Sequence, residues 1–307
     1  MELAVSVRAL HKDFGAVKAV RGVDLEVQSG EVLALLGPNG AGKTTIVEIL
    51  EGYQTAGTGK VSVLGLDPRH DRRRMLERVG IVLQETAVEQ FLTVREVVRR
   101  RAEYYPHPRE PDAVIELVGL GEKAGARVRT LSGGQQRRLD LGLALVGDPE
   151  LLFLDEPTTG FDPNARREAW DIVRSLTGEG RTVLLTTHYM DEAQVLADRV
   201  AVIAKGVIVA TGTPDSIGGR DTGTAKIRFV LPAQAAGAAE LGLADTDLTI
   251  SPIDGRRIVE VDTDSPTLAL HRLTSWAVAH EIELEGLEVA RPSLEDVYLE
   301  LTAEDNP

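Results

Sequence analysis

Alternating and continuous apolar stretches follow one another through the first two thirds of the chain. Ser6–Leu10 and Val23–Val27 alternate apolar and polar side chains, which predicts half-buried antiparallel strands. Continuous apolar runs at Glu31–Leu36, Leu151–Leu154 and Thr182–Leu185 predict strands that are buried on both faces. Because helical stretches separate these runs, the pattern indicates an α/β domain with a parallel sheet.

Helical patterns fill the space between the apolar runs and return near the C-terminus. A helix is predicted at Thr44–Leu50, and residues 90–147 are mostly helical. In the C-terminal part the predicted strands are 226–231, 248–251, 257–262 and 282–289, and the predicted helices are 233–241, 266–279 and one from 293. Asp254-Gly255 is a hairpin turn signal, and Ser265-Pro266 is a helix start. The order β-α-β-β-α-β is the ferredoxin-like pattern.

Length and charge divide the chain into two parts. A chain of 307 residues suggests about two domains. Of its net charge of −14, residues 221–307 carry the larger share, with 17 acidic and 6 basic side chains. We therefore expect a domain at 1–215 and an acidic accessory domain at 216–307. An acidic balance also argues against nonspecific nucleic-acid binding, which requires a basic face.

The composition and the apolar runs indicate which compartment the protein occupies. There is no cysteine, which excludes disulfides, thiolate zinc sites and a cysteine nucleophile. No apolar run approaches the ~20 residues of a spanning helix, and the first residues lack the pattern of a signal peptide. We expect a cytosolic protein, so any membrane crossing would belong to another chain.

A glycine-rich loop follows the first buried strand. Gly37-Pro38-Asn39-Gly40-Ala41-Gly42-Lys43-Thr44 matches the phosphate-loop pattern between a strand and a helix. Its glycines allow backbone N–H groups and the helix N-terminus to face phosphates. Lys43 is expected to reach the β- and γ-phosphates and Thr44 to bind Mg²⁺. The alternative is a simple glycine-rich turn.

Two carboxylates end the next apolar run. Asp155 and Glu156 follow Leu151–Leu154 directly. From a strand tip Asp155 can hold Mg²⁺, and Glu156 can serve as general base for an attacking water. The alternative is a buried strand whose exit is merely solvated by acids.

Leu131-Ser132-Gly133-Gly134-Gln135 opens a predicted helix at 136–146. Ser132 can cap this helix, and the two glycines expose N–H groups that could bind a γ-phosphate. An ordinary serine-capped helix is the alternative.

These three motifs, in this order and spacing, resemble the nucleotide-binding subunit of ATP-binding-cassette (ABC) transporters over about residues 3–215. The resemblance implies a P-loop NTPase fold: a mixed sheet core, an antiparallel β subdomain and a helical subdomain, with a small α+β C-terminal domain. It implies ATP and Mg²⁺ as cofactors. It also implies that ATP contacts Thr45 and the motif residues. Further site residues by resemblance are Phe14 against adenine, Gln84 at the metal and the membrane partner, Asp162 in the D-loop and His188 at the γ-phosphate.

Each of these further assignments has a plainer alternative. Phe14 could be core, Gln84 a surface cap and His188 a structural histidine. Phe161 stands where the family usually has leucine, which alters packing beside Asp162.

The last helix carries a second resemblance. Arg291–Leu299 is similar to the closing helix of the daunorubicin-resistance type of exporter ATPase. This implies export of drugs, antibiotics or lipids. The resemblance to ABC transporter subunits implies two copies of the chain, paired head to tail on the cytoplasmic side of the membrane beside a separate transmembrane permease. In such a pair the Ser132 motif of one copy faces the phosphate loop of the other. The alternative is a soluble ABC ATPase without a transport role, and the tail could be a stabilising domain that binds no ligand.

Overall fold

The computed structural model describes residues 2–82, 88–219, 224–230, 247–253 and 256–303. The chain divides into two compact units, Met1–Pro214 and Asp215–Pro307. In chain order the strands of the first unit are β1 (Leu3–Phe14), β2 (Val17–Gln28), β3 (Val32–Leu36), β4 (Thr58–Val63), β5 (Val79–Val82), β6 (Leu151–Asp155), β7 (Thr182–Thr187), β8 (Arg199–Ala204) and β9 (Val207–Gly212). Its helices are α1 (Lys43–Leu50), α2 (Arg72–Leu76), α3 (Val94–Ala102), α4 (Pro111–Leu117), α5 (Gly133–Leu145), α6 (Pro163–Gly178) and α7 (Met190–Leu196).

A six-stranded sheet forms the centre of the first unit. Its order is β5-β6-β7-β3-β8-β9, and within the described part of this sheet the β8–β9 pair is antiparallel and the other pairs are parallel. Every residue of β3, β6 and β7 is buried, as the continuous apolar runs predict. Because these strands are parallel, the loops after β3, β6 and β7 leave the sheet at the same edge.

A second, antiparallel sheet covers part of this core. Its order is β2-β1-β4, so both predicted half-buried strands are present. Buried side chains alternate along Val23–Val27 of β2, whereas in β1 a register shift between Val7 and Leu10 interrupts the alternation. Val5, Val7 and Val23 of this sheet share one apolar core with Leu33 of β3 and Ile46 of α1. The glycine-rich loop between β3 and α1 is therefore held by elements that pack in one core with both sheets.

The helical stretch predicted at 90–147 is present as α3, α4 and α5. Thr93 caps α3 and Ser132 caps α5, and each forms a reciprocal capping box with the residue three positions on. Local hydrogen bonds thus fix where both helices begin.

The second unit contains an antiparallel sheet and two helices. Its elements are β10 (Ala225–Val230), β11 (Asp247–Ile253), β12 (Arg256–Thr263), α8 (Pro266–Ala279), β13 (Glu288–Ala290) and α9 (Leu294–Ala303). The sheet order is β11-β12-β10-β13. Leu273 of α8 packs against Ile227, Phe229 and Val261 of the sheet. The pairing of β11 with β12 is confirmed, whereas the turn residues 254–255 and the predicted helix 233–241 lie outside the described residues.

The strand predicted at 282–289 is present only at its C-terminal end, so its predicted start is wrong. Only Glu288–Ala290 pairs, with β10. Glu281 and Gly286 have φ angles of +55° and +64°, so the backbone enters the left-handed region on both sides of the intervening residues. Leu284 packs against the core of the sheet, which explains why the segment looks strand-like in sequence.

Candidate functional site

The glycine-rich loop lies between β3 and α1 and leaves no room for side chains at two positions. A Cβ atom at Gly37 would lie 2.4 Å from the carbonyl oxygen of Ile203. A Cβ at Gly42, whose φ is +108°, would lie 2.5 Å from the carbonyl oxygen of Ala19. Gly42 also begins the helix without a side-chain cap, so the first N–H groups of α1 are available to an anion.

Lys43 lies buried beneath this loop. Its Nζ donates to the carbonyl oxygens of Gly37 at 2.7 Å and Pro38 at 3.2 Å, and lies 3.8 Å from Oε1 of Glu156. Burial lowers the pKa of Lys43, and the charges of Glu156 and Asp155 oppose that shift. The fold thus places a cation between the loop and two carboxylates.

The two carboxylates end β6 next to the end of β7. The Thr186 hydroxyl donates to Oδ1 of Asp155, and the N–H of Glu156 donates to the Thr186 carbonyl at 3.1 Å. Oε1 of Glu156 lies 3.3 Å from Nδ1 of His188, and Oε2 accepts from the Thr159 hydroxyl at 3.2 Å. Glu156 has a φ of +46°, a left-handed backbone that is uncommon for a residue with a side chain.

An open cleft of about 720 Å³ joins several predicted site residues. Its lining comprises Phe14, Val17, Lys18, Ala19, Arg21, Pro38, Asn39, Gly40, Gly42, Lys43, Thr44, Thr45, Glu156 and Lys205. The ring of Phe14 is exposed, with Nζ of Lys12 at 4.9 Å from its centroid. Sequence reasoning missed the basic residues Lys18, Arg21 and Lys205 of this lining, because none of them belongs to a motif.

The Ser132 motif is not part of this lining. Ser132 Oγ accepts from the N–H of Gln135 at 3.3 Å, and Oε1 of Gln135 accepts from the N–H of Ser132 at 3.0 Å. Ser132 and Gly133 are exposed at the start of α5. Within the described part of one chain, therefore, these residues do not line the cleft that contains Lys43.

Asp162 caps α6. Its Oδ1 accepts from the backbone N–H groups of Ala165 at 3.0 Å and Asn164 at 2.9 Å, and these bonds hold its pKa below the usual range. Gln84 lies outside the described residues, so its predicted place at the metal remains a prediction.

Comparison with known proteins identifies the family. The model of the ABC transporter family matches residues 20–159, and that of an ABC transporter domain-containing protein-like C-terminal domain matches residues 225–293. The chain is 38% identical over 315 residues to the daunorubicin resistance ATP-binding protein DrrA3 of Streptomyces coeruleorubidus, covering 99% of this chain and 97% of that protein. The chain belongs to the ABC transporter ATP-binding family.

A second sequence relative and a solved structure support this assignment. The linearmycin resistance ATP-binding protein LnrL of Bacillus subtilis (strain 168) is 33% identical over 301 residues, covering 95% of this chain and 96% of that protein. A solved ATP-binding cassette of an ABC transporter in its ADP conformation has a TM-score of 0.63 and 25% identity, over 69% of this chain and 92% of that one.

The family assignment fixes the fold and the basic activity. The ABC cassette fold and the resemblance to the daunorubicin-resistance type are both confirmed. The protein is an ATPase that binds and hydrolyses ATP. No helix among the described residues has the length and apolar character needed to cross a membrane.

Proposed function

We propose that this ABC ATPase binds a separate membrane permease at the cytoplasmic side of the membrane and powers the export of a drug, antibiotic or lipid through it. The observation that carries the catalytic part is the cleft in which the phosphate loop and Glu156 meet. Support for export comes from near full-length similarity to the daunorubicin and linearmycin resistance subunits. The alternative is a soluble ABC ATPase without a transport role.

Nucleotide binding is assigned to the loop side of the cleft. The exposed ring of Phe14 offers a face on which adenine can stack, and the loop from Gly37 to Thr45 offers backbone N–H groups to the phosphates. The ammonium of Lys43 lies at the same loop and can exchange its carbonyl partners for phosphate oxygens.

The residues present fit a magnesium ion that is shared with phosphates. Thr44 presents an exposed hydroxyl at the start of α1, and Asp155 presents a carboxylate at the end of β6. These are the hard oxygen donors that Mg²⁺ prefers, and Mg²⁺ usually combines one or two protein ligands with substrate phosphates. No group of three or more acidic, histidine or cysteine side chains forms a metal cage in the described parts of the chain. When bound, the ion would neutralise charge on the phosphates.

Hydrolysis is assigned to Glu156. Its carboxylate lines the cleft beside Lys43 and His188, and it can orient or deprotonate the attacking water. Lys43 supplies positive charge where negative charge develops on the transferred phosphoryl group, and His188 supplies a donor at the γ-phosphate. Most of the rate enhancement then comes from positioning and charge.

The Ser132 motif is assigned to a second copy of the chain. Ser132, Gly133 and Gly134 do not line the cleft of their own chain, although their helix start can bind phosphate. A head-to-tail dimer would bring this motif, with Gln135 and the nearby Asp162, to the ATP of the partner. We assign the nucleotide site to 1–215 and an accessory role to 216–307.

Substitution of Glu156 tests the catalytic proposal. Glu156→Gln keeps the size of the side chain but removes the base, so ATP titration should stay unchanged while turnover falls ~10²-fold or more. Glu179→Gln, at the far end of α6, is the control and should hydrolyse ATP normally. Near wild-type turnover in Glu156→Gln would contradict the assignment.

Co-expression with a candidate permease tests the transport proposal. Cells that contain the permease and the wild-type chain should lose a preloaded anthracycline faster than cells that contain the permease and Glu156→Gln. The chain should also be recovered with the membranes. Equal loss from both cells, together with recovery of the chain away from membranes, would favour the soluble alternative.

A further inference from the structure

A buried arginine connects the start of α5 to the end of β6. Arg137 lies on the second turn of α5, and its side chain is only 12% exposed. Its Nε donates to the carbonyl oxygen of Pro157 at 3.0 Å. One terminal nitrogen, Nη2, lies 3.2 Å from the carbonyl oxygen of Glu156 and 3.3 Å from that of Asp155. One guanidinium therefore binds three consecutive carbonyl groups.

These carbonyl groups belong to the turn that aims Glu156 at the cleft. The backbone of Glu156 is left-handed at a φ of +46°, and such a conformation costs energy for any residue other than glycine. It persists where surrounding contacts fix it. The planar fork of an arginine can donate to several carbonyl oxygens at once, which a lysine ammonium does with less geometric precision.

A second buried side chain holds the same segment from α7. The Thr158 hydroxyl donates to Oε1 of Glu192 at 2.8 Å, and Nε1 of Trp170 donates to the same oxygen at 3.2 Å. Glu192 is 1% exposed. Residues 155–158 are thus fixed between α5, which begins at Ser132, and α7, which begins two residues after His188.

We infer that Arg137 is a positioning residue for Glu156, which it holds in the orientation for hydrolysis through hydrogen bonds to the backbone of residues 155–157. The inference rests on the proposed role of Glu156. It adds a physical connection within one chain between the helix that begins with the Ser132 motif and the catalytic carboxylate. In a head-to-tail dimer, this connection would link the partner's ATP, at Ser132, to the chain's own hydrolytic site.

A double-mutant cycle with Glu156 separates positioning from general stability. Arg137→Met removes the guanidinium and keeps an unbranched apolar stem. It should lower kcat about 10-fold or more, with KM for ATP within about 2-fold, since a displacement of about 1 Å at a catalytic group can cost up to 100-fold. In the Glu156→Gln background, the same substitution should lower single-turnover hydrolysis by less than about 2-fold, because the group that it positions is already inactive. Arg137→Lys should give an intermediate kcat.

Arg181 provides a matched control at the other end of β6. Its guanidinium donates to the carbonyl oxygen of Pro149 at 3.0 Å and to Oδ1 of Asp148 at 2.7 Å. Arg181→Met should lower the thermal midpoint but leave kcat within about 2-fold of wild type, because it acts away from Glu156.

The outcomes distinguish this inference from the proposed function. High activity in Glu156→Gln alone would overturn the role of Glu156. An inactive Glu156→Gln combined with an equal kcat loss for Arg137→Met in both backgrounds would overturn the positioning role only. So would a loss confined to KM, or an equal kcat loss in Arg181→Met. If Arg137→Met does not fold, Arg137→Lys in the same cycle decides: a kcat loss that disappears with Glu156→Gln supports positioning, and wild-type kcat or an unchanged loss contradicts it.

Discussion

At the residue scale, a buried acid at the end of α1 stands out. Glu51 is 1% exposed, and neither of its carboxylate oxygens has a hydrogen-bond partner among the described residues. Burial raises the pKa of Glu51 to about 8, with further increases from Asp155 and Glu48 and an opposing effect of Arg72. The side chain is therefore mostly protonated at neutral pH.

This titration predicts how stability depends on pH. The folded pKa of Glu51 lies above its ordinary value of 4.5, so the folded state binds the proton more tightly than the unfolded state. Its contribution to stability is complete below pH 4.5 and is lost as the pH rises toward 8, by at most ~1.4 kcal/mol for each pH unit. Glu51→Gln removes this dependence. Its free energy of unfolding, measured with urea, should be close to that of wild type at pH 5 and higher at pH 8.

Two results would contradict this prediction. One is an equal difference between Glu51→Gln and wild type at both pH values. The other is a variant that loses stability relative to wild type as the pH rises. Glu48→Gln, one turn earlier on the same helix and partly exposed, serves as the control and should show a smaller pH effect.

At the element scale, sequence patterns predict the strands and helix starts that neighbouring residues determine. The buried strands β3, β6 and β7 and the capped start of α5 follow from apolar runs and from Ser132, because burial and capping are encoded by neighbouring residues. The strand predicted at 282–289 begins only at Glu288, because an apolar pattern does not reveal the left-handed backbone at Gly286.

The start of α5 gives a prediction about assembly. Ser132 is exposed and does not line the cleft of its own chain, so Ser132→Arg should leave ATP binding by the monomer unchanged, apart from ~1 kcal/mol of stability lost with the cap. It should prevent the ATP-dependent dimer, because a bulky cation would occupy the helix start that faces the partner's phosphates. Light scattering with ATP in the Glu156→Gln background measures this. Ser175→Arg, an exposed position on α6, should still dimerise.

Mixing two inactive variants checks the same shared site by activity. A pair formed from one Ser132→Arg copy and one Glu156→Gln copy contains one intact composite site, so the mixture should hydrolyse ATP faster than the two proteins measured separately. A mixture no more active than their sum would count against the head-to-tail arrangement.

At the scale of the whole molecule, the site is assembled from distant parts of the chain, and this limits what sequence can show. Motifs predicted Lys43 and Glu156, the family resemblance implied Phe14, and the structure places all three at one cleft. Lys205 and Arg137 were missed because they reach the site through contacts between residues that are distant in sequence. Gly206, which follows Lys205, lies against the carbonyl group of Ala19. Arg137 donates to the carbonyl oxygen of Pro157. Periodicity carries no information about such contacts.

The division into two units predicts the effect of removing the second one. Every residue that lines the cleft lies in Met1–Pro214. The cut belongs at Pro214, because Gly218 lies against Val297 of α9 and is part of the second unit, where a Cβ would come within 2.2 Å of Val297. A chain that ends at Pro214 should therefore bind ATP with the affinity of the full chain, measured by nucleotide titration. In cells that carry the permease it should give less export, because the acidic unit is expected to stabilise the dimer or its membrane partner.

The full chain with Lys43→Ala is the control that should lose ATP binding. Loss of ATP binding in a truncated chain that remains folded by circular dichroism would show that the second unit contributes to the nucleotide site. Full export by the truncated chain would show that the second unit is dispensable for transport.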